Sequence, residues 1–265
     1  DLEQATQRDP GSERILLAAA EIGYEKARLA RTAGKDAQVE RTAIETRRLI
    51  EKSLELFPEN LDLRLRLVVL EAHFGDADKA MSLLEEILTA VPGESQSQIL
   101  LADLTIAQGD FERARQAIAA LPRTPGTDAM RLFLEGRIAM AAGEWTKAKD
   151  ILVEARRFLP NTNAMAERTD LALAQCYGRL ELIEDETRTY RRVLKYRSES
   201  IPARLGLAAT HLKADRLEDA IAEYQPLSHL PQVRLALARL MIIQNLRMPD
   251  VARNWRPVVT LLDQA

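Results

Sequence analysis

The sequence predicts an all-α solenoid, a stack of antiparallel helix pairs. Three observations carry that expectation. Gly75, Gly109 and Gly143 lie 34 residues apart, each followed by an acid (Asp76, Asp110, Glu144) and, five residues past the glycine, by an alanine (Ala80, Ala114, Ala148). A fixed period of about 20–50 residues is the signature of stacked supersecondary units. Prolines keep the same spacing: Pro58, Pro92 and Pro160 stand 34 and 68 residues apart, with Pro125 one residue off the beat. Composition agrees, since alanine, leucine, glutamate and arginine dominate and aromatics are only 5%; the dominant residues are good helix formers.

The elements follow in order. Residues 1–10 read as the end of a helix already under way, and Asp1 is an unusual natural start, so the chain is read as a piece of a longer protein. Residues 11–60 form an atypical unit. Pro10 to Pro58 spans 48 residues, 14 more than one period. Helical periodicity runs from about Ser12 to Ala33, breaks at Gly34-Lys35, and resumes from Asp36 to Phe57. Each helix is thus about two turns longer than standard, about 10 Å. Arg41 with Glu45 and Arg47 with Glu51 are i,i+4 pairs suited to an exposed helix. This long hairpin is either a solvated extension or a contact for a dimer or partner.

Five regular units are expected at 61–94, 95–128, 129–162, 167–200 and 201–230. In the first, Leu63, Leu67, Leu70 and Phe74 share one helical face, Gly75 takes a left-handed position at the helix end, and Ala80, Leu84 and Ile87 face inward from a second helix. The second unit repeats this around Gly109, with its second helix ending at Leu121-Pro122 and a Pro125-Gly126 loop filling the remaining length. The third, around Gly143, is the cleanest. In the last two, Glu181 and Asp215 hold the turn, again 34 apart, while Gly143 to Glu181 is 38, about one extra helical turn near Asn161–Glu167. An atypical or capping pair closes the chain at 231–265: a first helix over Pro231–Asn245 and a second over Val251–Leu262, kinked or delayed by Pro257.

These residues resemble the tetratricopeptide repeat. That family has small residues at the eighth and twentieth positions, matched here by Gly136 or Ala208 and by Ala80, Ala114, Ala148 or Ala220. Aromatics near the seventeenth and twenty-fourth match Phe111, Trp145, Tyr190 and Tyr224, and proline at the thirty-second matches Pro58, Pro92 and Pro160. The resemblance covers about residues 61–230 and implies a right-handed superhelix. Glu186 departs from it at a twentieth position, which predicts looser packing in that unit.

Composition excludes several function classes. A formal charge of −3 and a pI near 5.8 give no basic face for nucleic acid. Cys176, the single cysteine, allows no disulfide within the chain, reads as a buried small residue, and leaves cytoplasm and periplasm both open. No stretch has the apolar length of a membrane helix. His73, His211 and His229 lack a second ligand at metal spacing, and no GxGxxG, phosphate-loop or GxSxG pattern occurs. No catalytic residue, cofactor or metal is expected. Arg188, Arg191, Arg192 and Lys195 share a helix face, with Glu184 four residues before Arg188; this reads as a solvated face, or as a contact for an acidic partner or phosphate.

The resemblance places binding on the concave face, lined by the first helix of each unit. Its register gives Leu65, Val69 and Ala72; then Ile99, Asp103 and Ile106; then Met130, Phe133, Arg137 and Met140; then Arg168, Leu171 and Gln175; and finally Leu205 and Leu212. Several of these could equally be core between repeats. The family's carboxylate-clamping side chains are missing, since Leu65, Val69 and Ile99 stand where polar ones would. The resemblance therefore implies a non-catalytic scaffold that holds a peptide, helix or partner protein. Two other readings are a recruiting arm of a larger enzyme and a scaffold in a bacterial polysaccharide-export or secretion complex. A homodimer through the groove or the long hairpin would also fit.

Overall fold

The computed structural model describes residues 12–160 and 164–263. Among the described residues the secondary structure is entirely helical. The segment 1–10, read as the end of a helix, lies outside the described residues, as does the start of the four-residue insertion near Asn161. The chain divides into two compact units, residues 1–122 and 123–265.

The first unit holds three helical hairpins. Helices α1 (Glu13–Thr32) and α2 (Asp36–Leu56) have 20 and 21 residues, so the elongated pair is as the sequence predicts, turning at Gly34. The standard pairs α3 (Leu61–Phe74) with α4 (Ala77–Ala90) and α5 (Ser95–Gln108) with α6 (Phe111–Ala120) follow. Each helix packs on its chain neighbour, and α3 also touches both α1 and α5. No hairpin buries its own face, so the core lies between pairs. Ala20, Ile50, Leu67 and Leu70, from α1, α2 and α3, form one such cluster.

The second unit holds α7 (Pro125–Ala141), α8 (Trp145–Arg157), α9 (Ala164–Arg179), α10 (Ile183–Tyr196), α11 (Ile201–Lys213), α12 (Leu217–Tyr224), α13 (Pro231–Arg247) and α14 (Arg256–Asp263). Here the expected Pro125-Gly126 loop is instead the first turn of α7. Proline at a first helical position loses nothing, because that N–H would be unbonded anyway, and the Thr127 hydroxyl accepts the Thr124 N–H at 3.1 Å. Pro257 delays the last helix rather than kinking it: α14 begins at Arg256. Before it, buried Asn245 accepts from the Asn254 N–H at 2.7 Å and donates to the Asn254 carbonyl, which ties down the connection.

The periodic small residues sit where two helices touch. Ala80, Ala114, Ala148 and Ala220 are all fully buried, as are Val68, Ala102, Ala174 and Ala208 at the eighth position. The acid after each glycine is the N-cap of the next helix. Asp76 accepts the N–H groups of Asp78 and Lys79, and Asp110 that of Arg113; such caps satisfy donors the helix itself cannot. Glu144 holds the same position and pairs with Lys147.

The three glycines, however, do two different jobs. Gly109 and Gly143 have φ of 80° and 75°, the left-handed turn the sequence predicts. Gly75 does not: its φ is −134°. A Cβ there would come within 1.9 Å of Glu71 Oε2 and 2.7 Å of Arg47, so Gly75 makes room for a buried ion cluster. Arg47 on α2 donates two bonds to Glu71 on α3, at 2.8 and 3.0 Å, and Lys79 on α4 lies 2.8 Å away. Arg47 therefore turns inward to Glu71 rather than pairing along its helix with Glu51, which pairs with Lys79 instead. A second cluster ties α8, α9 and α10. Asp170 on α9 is 0% exposed and accepts from Arg156 at 3.0 Å, from Arg192 at 2.6 and 3.1 Å and from the Tyr196 hydroxyl at 2.9 Å.

The left-handed turn recurs without glycine. Glu181 and Asp215, in register with Gly109 and Gly143, have φ of 61° and 52°. This conformation costs an L-residue about 1–2 kcal/mol. Asp215→Gly should therefore raise stability by roughly 1 kcal/mol in urea unfolding, because its ion pair to Arg247 is exposed and contributes little.

Glu71 generates a pH prediction. Burial pushes its carboxyl upward, but bonds from Arg47, Lys79 and the Asp76 N–H outweigh burial and leave it below its ordinary value of 4.5. A group depressed on folding adds stability above its unfolded pKa and loses it as pH falls through the folded one. The stability gap between the parent and Glu71→Gln, read by urea unfolding, should shrink as pH is lowered from about 6 to about 3.

Candidate functional site

The expected concave-face residues fall on the first helices of their hairpins, as two separate sets. In the first unit, Leu65 and Val69 lie on α3, and Ile99, Asp103 and Ile106 on α5. Leu65 and Ile106 are buried, whereas Val69, Ile99 and Asp103 are half-buried. In the second unit, Met130, Phe133, Arg137 and Met140 lie on α7, and Arg168, Leu171 and Gln175 on α9. Phe133 is 3% exposed and belongs to the core. Arg168 reaches across from α9 to lie 4.9 Å over its ring, which joins two of the expected residues in a cation–π contact. Leu171 packs beside the Ala174–Tyr190–Leu207 cluster. Met130, Arg137 and Met140 are half-buried, while Arg168 and Gln175 are exposed.

The basic stripe divides between two roles. Arg192 turns into the Asp170 cluster. Arg188 pairs with Asp185 at 3.1 Å rather than with Glu184. Arg188 and Arg191, with Arg216 and Thr187, border a hollow of about 300 Å³. The candidate chemical groups are structural. Cys176 is fully buried, and burial pushes its thiol up to about 11, so the reactive thiolate is suppressed. His211 packs inside, 4.0 Å from Asp219, and burial lowers its pKa. His73 lies edge-on to Tyr24. Among the described residues no group of three or more metal-ligating side chains is gathered.

The second unit contains a larger feature that the register alone did not locate. A cleft of about 620 Å³ lies among α8, α9, α10 and α11, within the size range of small-ligand sites. Trp145 borders it at the start of α8. Helix α9 supplies Gln175, Gly178 and Arg179; α10 supplies Glu186 and Tyr190; α11 supplies Gly206, Ala209 and Lys213. Gln175 is the one expected concave-face residue that borders the cleft. Arg179 stacks over Trp145 at 5.2 Å. Tyr190 is buried, and burial followed by the neighbouring Glu186 charge raises its hydroxyl to about 12.

Two glycines explain why the cleft exists. Glu186 stands where four other hairpins place alanine (Ala80, Ala114, Ala148 and Ala220). The structure accommodates it by moving the small residue to the facing helix, since a Cβ on Gly178 would lie 2.6 Å from Glu186 Oε1. Likewise a Cβ on Gly206 would lie 2.2 Å from the Tyr190 ring. The looser packing expected at Glu186 is thus an exchange of volume between helices, with an opening beside it. Glu186 was visible in the sequence as a departure from the repeat. The signal that could have completed the site is the pair of glycines facing Glu186 and Tyr190, one in the last turn of α9 and one in the middle of α11, because glycine inside a helix needs a packing reason.

A tetratricopeptide repeat family model matches residues 43–104 and 71–129 of the chain. A search of curated proteins returns no match to the sequence. Among solved structures the chain is similar to yeast Tom70, at 14% identity and a TM-score of 0.64, covering 100% of this chain and 61% of that one. It is similar to the APC/C hetero-tetramer Cut9–Hcn1, at 16% identity and a TM-score of 0.63, covering 90% and 44%. It is also similar to the human IFIT1 dimer with m7Gppp-AAAA, at 14% identity and a TM-score of 0.61, covering 80% and 54%. At such identities the likeness is one of fold, and the chain spans less than two thirds of each of these chains.

The volume exchange is testable by complementary substitution. Gly178→Ala alone should cost about 1–3 kcal/mol, the usual scale of overpacking. The double variant Gly178→Ala, Glu186→Ala should recover most of that in urea unfolding, giving a coupling energy of opposite sign to the single cost.

Proposed function

We propose that this chain, which carries tetratricopeptide repeats, is a non-catalytic scaffold that holds a protein partner on the faces formed by the first helices of its hairpins. Repeats of this family are protein-interaction scaffolds as a class. The observation that carries the reading for this chain is the half-buried apolar rows on those helices. Val69 and Ile99 lie on α3 and α5 of the first unit, and Met130 and Met140 on α7 of the second, each beside a buried neighbour. Such side chains have their apolar surface partly in water when the face is empty, and covering it is favourable by about 25 cal/mol per Å². Methionine adds adaptability, because an unbranched thioether follows the contour of different partners. Scattered polar groups (Asp103, Arg137, Arg168) would set the orientation of a bound segment. The buried thiol, the packed histidines and the ion-paired carboxylates are engaged in holding helices together, which supports a role without chemistry.

The test uses the two methionines, since Phe133 is core and its replacement would confound binding with unfolding. Met130→Glu with Met140→Glu should lower recovery of the native partner by at least about tenfold, a loss of ~1.4 kcal/mol. The partner is recovered by crosslinking and affinity purification from source cells, with the thermal midpoint measured on the same variant. Full recovery by a stably folded double variant would exclude the α7 face as the binding surface.

A further inference from the structure

The cleft of the second unit is bordered by a buried carboxylate, Glu186, one oxygen of which has no hydrogen-bond partner among the described residues. Glu186 is 4% exposed. Its Oε1 lies 3.5 Å from the Lys213 ammonium, at the outer limit of a hydrogen bond, and its Oε2 is sealed from solvent with no partner among the described residues. Leaving a buried polar atom unpaired is unfavourable, and native structures do so rarely. The other two buried acids among the described residues follow that rule: Glu71 and Asp170 use both carboxylate oxygens, on Arg47 and Lys79 and on Arg156, Arg192 and Tyr196. Glu186 differs from them in bordering an open cleft of about 620 Å³.

The surroundings specify what fits. The Glu186 carboxylate is held at Oε1 by one long contact and at Oε2 by none, so it lacks a close donor, and a donor carrying positive charge makes the stronger bond to a carboxylate. Arg179 is directed onto Trp145 at 5.2 Å. Lys213 is half exposed, reaches only Oε1, and is free to swing toward solvent. Trp145 and Tyr190 give the cleft aromatic walls of the kind that accept the flat face of a guanidinium or the stem of a lysine. Gly178 and Gly206 hold the space open, because a Cβ on either would meet Glu186 or Tyr190.

We propose that this cleft receives a basic side chain, arginine or lysine, of the protein partner, with its N–H group donating to the Glu186 carboxylate at Oε1, beside Trp145 and Tyr190. The inference rests on the reading of this chain as a protein-binding scaffold and names one chemical feature of the partner. Lys213 then acts as an internal substitute for the incoming cation, displaced or tolerated at Oε1 when the cleft fills.

The experiment uses Trp145 as reporter in the full chain carrying Trp255→Phe, which removes the other tryptophan at a position away from the cleft. The probe is N-acetylarginine amide, titrated against its neutral isostere N-acetylcitrulline amide, with N-acetyllysine amide as a third arm. The expected result is a saturable change in Trp145 emission with the two basic probes and at least about tenfold weaker binding of the citrulline probe, or of the arginine probe to Glu186→Gln. Lys213→Met should tighten the arginine probe severalfold, a gain that a purely structural Glu186–Lys213 pair would not produce. Equal binding of arginine and citrulline probes, unchanged affinity in Glu186→Gln, weaker binding in Lys213→Met, or no saturable change at all would each overturn the proposal. Partner recovery by the Met130 and Met140 variants is read separately. Failure of the probes with that dependence intact removes only the cleft, and the reverse removes only the α7 face.

Discussion

Each helical hairpin depends on the close approach of two helices at a single crossing, where one of the facing residues must be nearly without a side chain. Packed α-helices lie about 8–10 Å apart according to the side chains at the contact, and the short end of that range needs small residues there. Ala80, Ala114, Ala148 and Ala220 fill that requirement from the second helix and are completely buried. Gly136 fills it from the first helix, lying so close to Leu152 that a Cβ would be 2.7 Å away. Once the crossing is fixed, the larger residues on either side have only one place to go, which is between this pair and the next. The array's core is therefore built from the gaps between hairpins.

The same constraint explains how charge enters the interior. Glu71, Asp170 and Glu186 are buried acids on helices that otherwise follow the apolar repeat. Two of them join three helices each through arginine, lysine or tyrosine, and breaking such a cluster would leave a buried charge uncompensated. Gly75 belongs to the first cluster as its missing side chain. Glu186 belongs to a crossing in which the small residue has changed sides, and it borders the cleft while its second oxygen is sealed from solvent. Of these three buried acids, Glu186 is the one whose nearest cation stands farthest away, Lys213 at 3.5 Å.

Much of the fold was legible because it is local. The elongated hairpin was visible as 14 extra residues before Pro58, and its helices end within a residue of the boundaries read from periodicity. Glu181 and Asp215 were placed at the turn by spacing alone, and both have the positive φ that the position imposes. Other details were not local. Whether Gly75 makes a left-handed turn depends on Arg47, 28 residues earlier in the chain, reaching Glu71. Whether Pro125 is a loop or a first turn depends on Thr124 and Thr127 closing a cap. The candidate site was only partly readable. The register gave Gln175, and the departure at Glu186 was noticed, but Trp145, Tyr190, Gly206 and Lys213 come from three further helices with no pattern in common.

By itself the sequence determined the helix pairs, their period, their caps and the positions that must stay small, because these follow from backbone sterics and from contacts within one hairpin. Tertiary structure decided which periodic apolar residues are core and which face water. Phe133 is sealed under Arg168, while Met130 and Met140 remain half open on the same helix. It also decided which charges meet. Arg47 and Arg192 looked like surface residues of their own helices and instead satisfy acids on a neighbouring one. Helical periodicity specifies a direction from the helix axis, and only the neighbouring helix determines what is met in that direction.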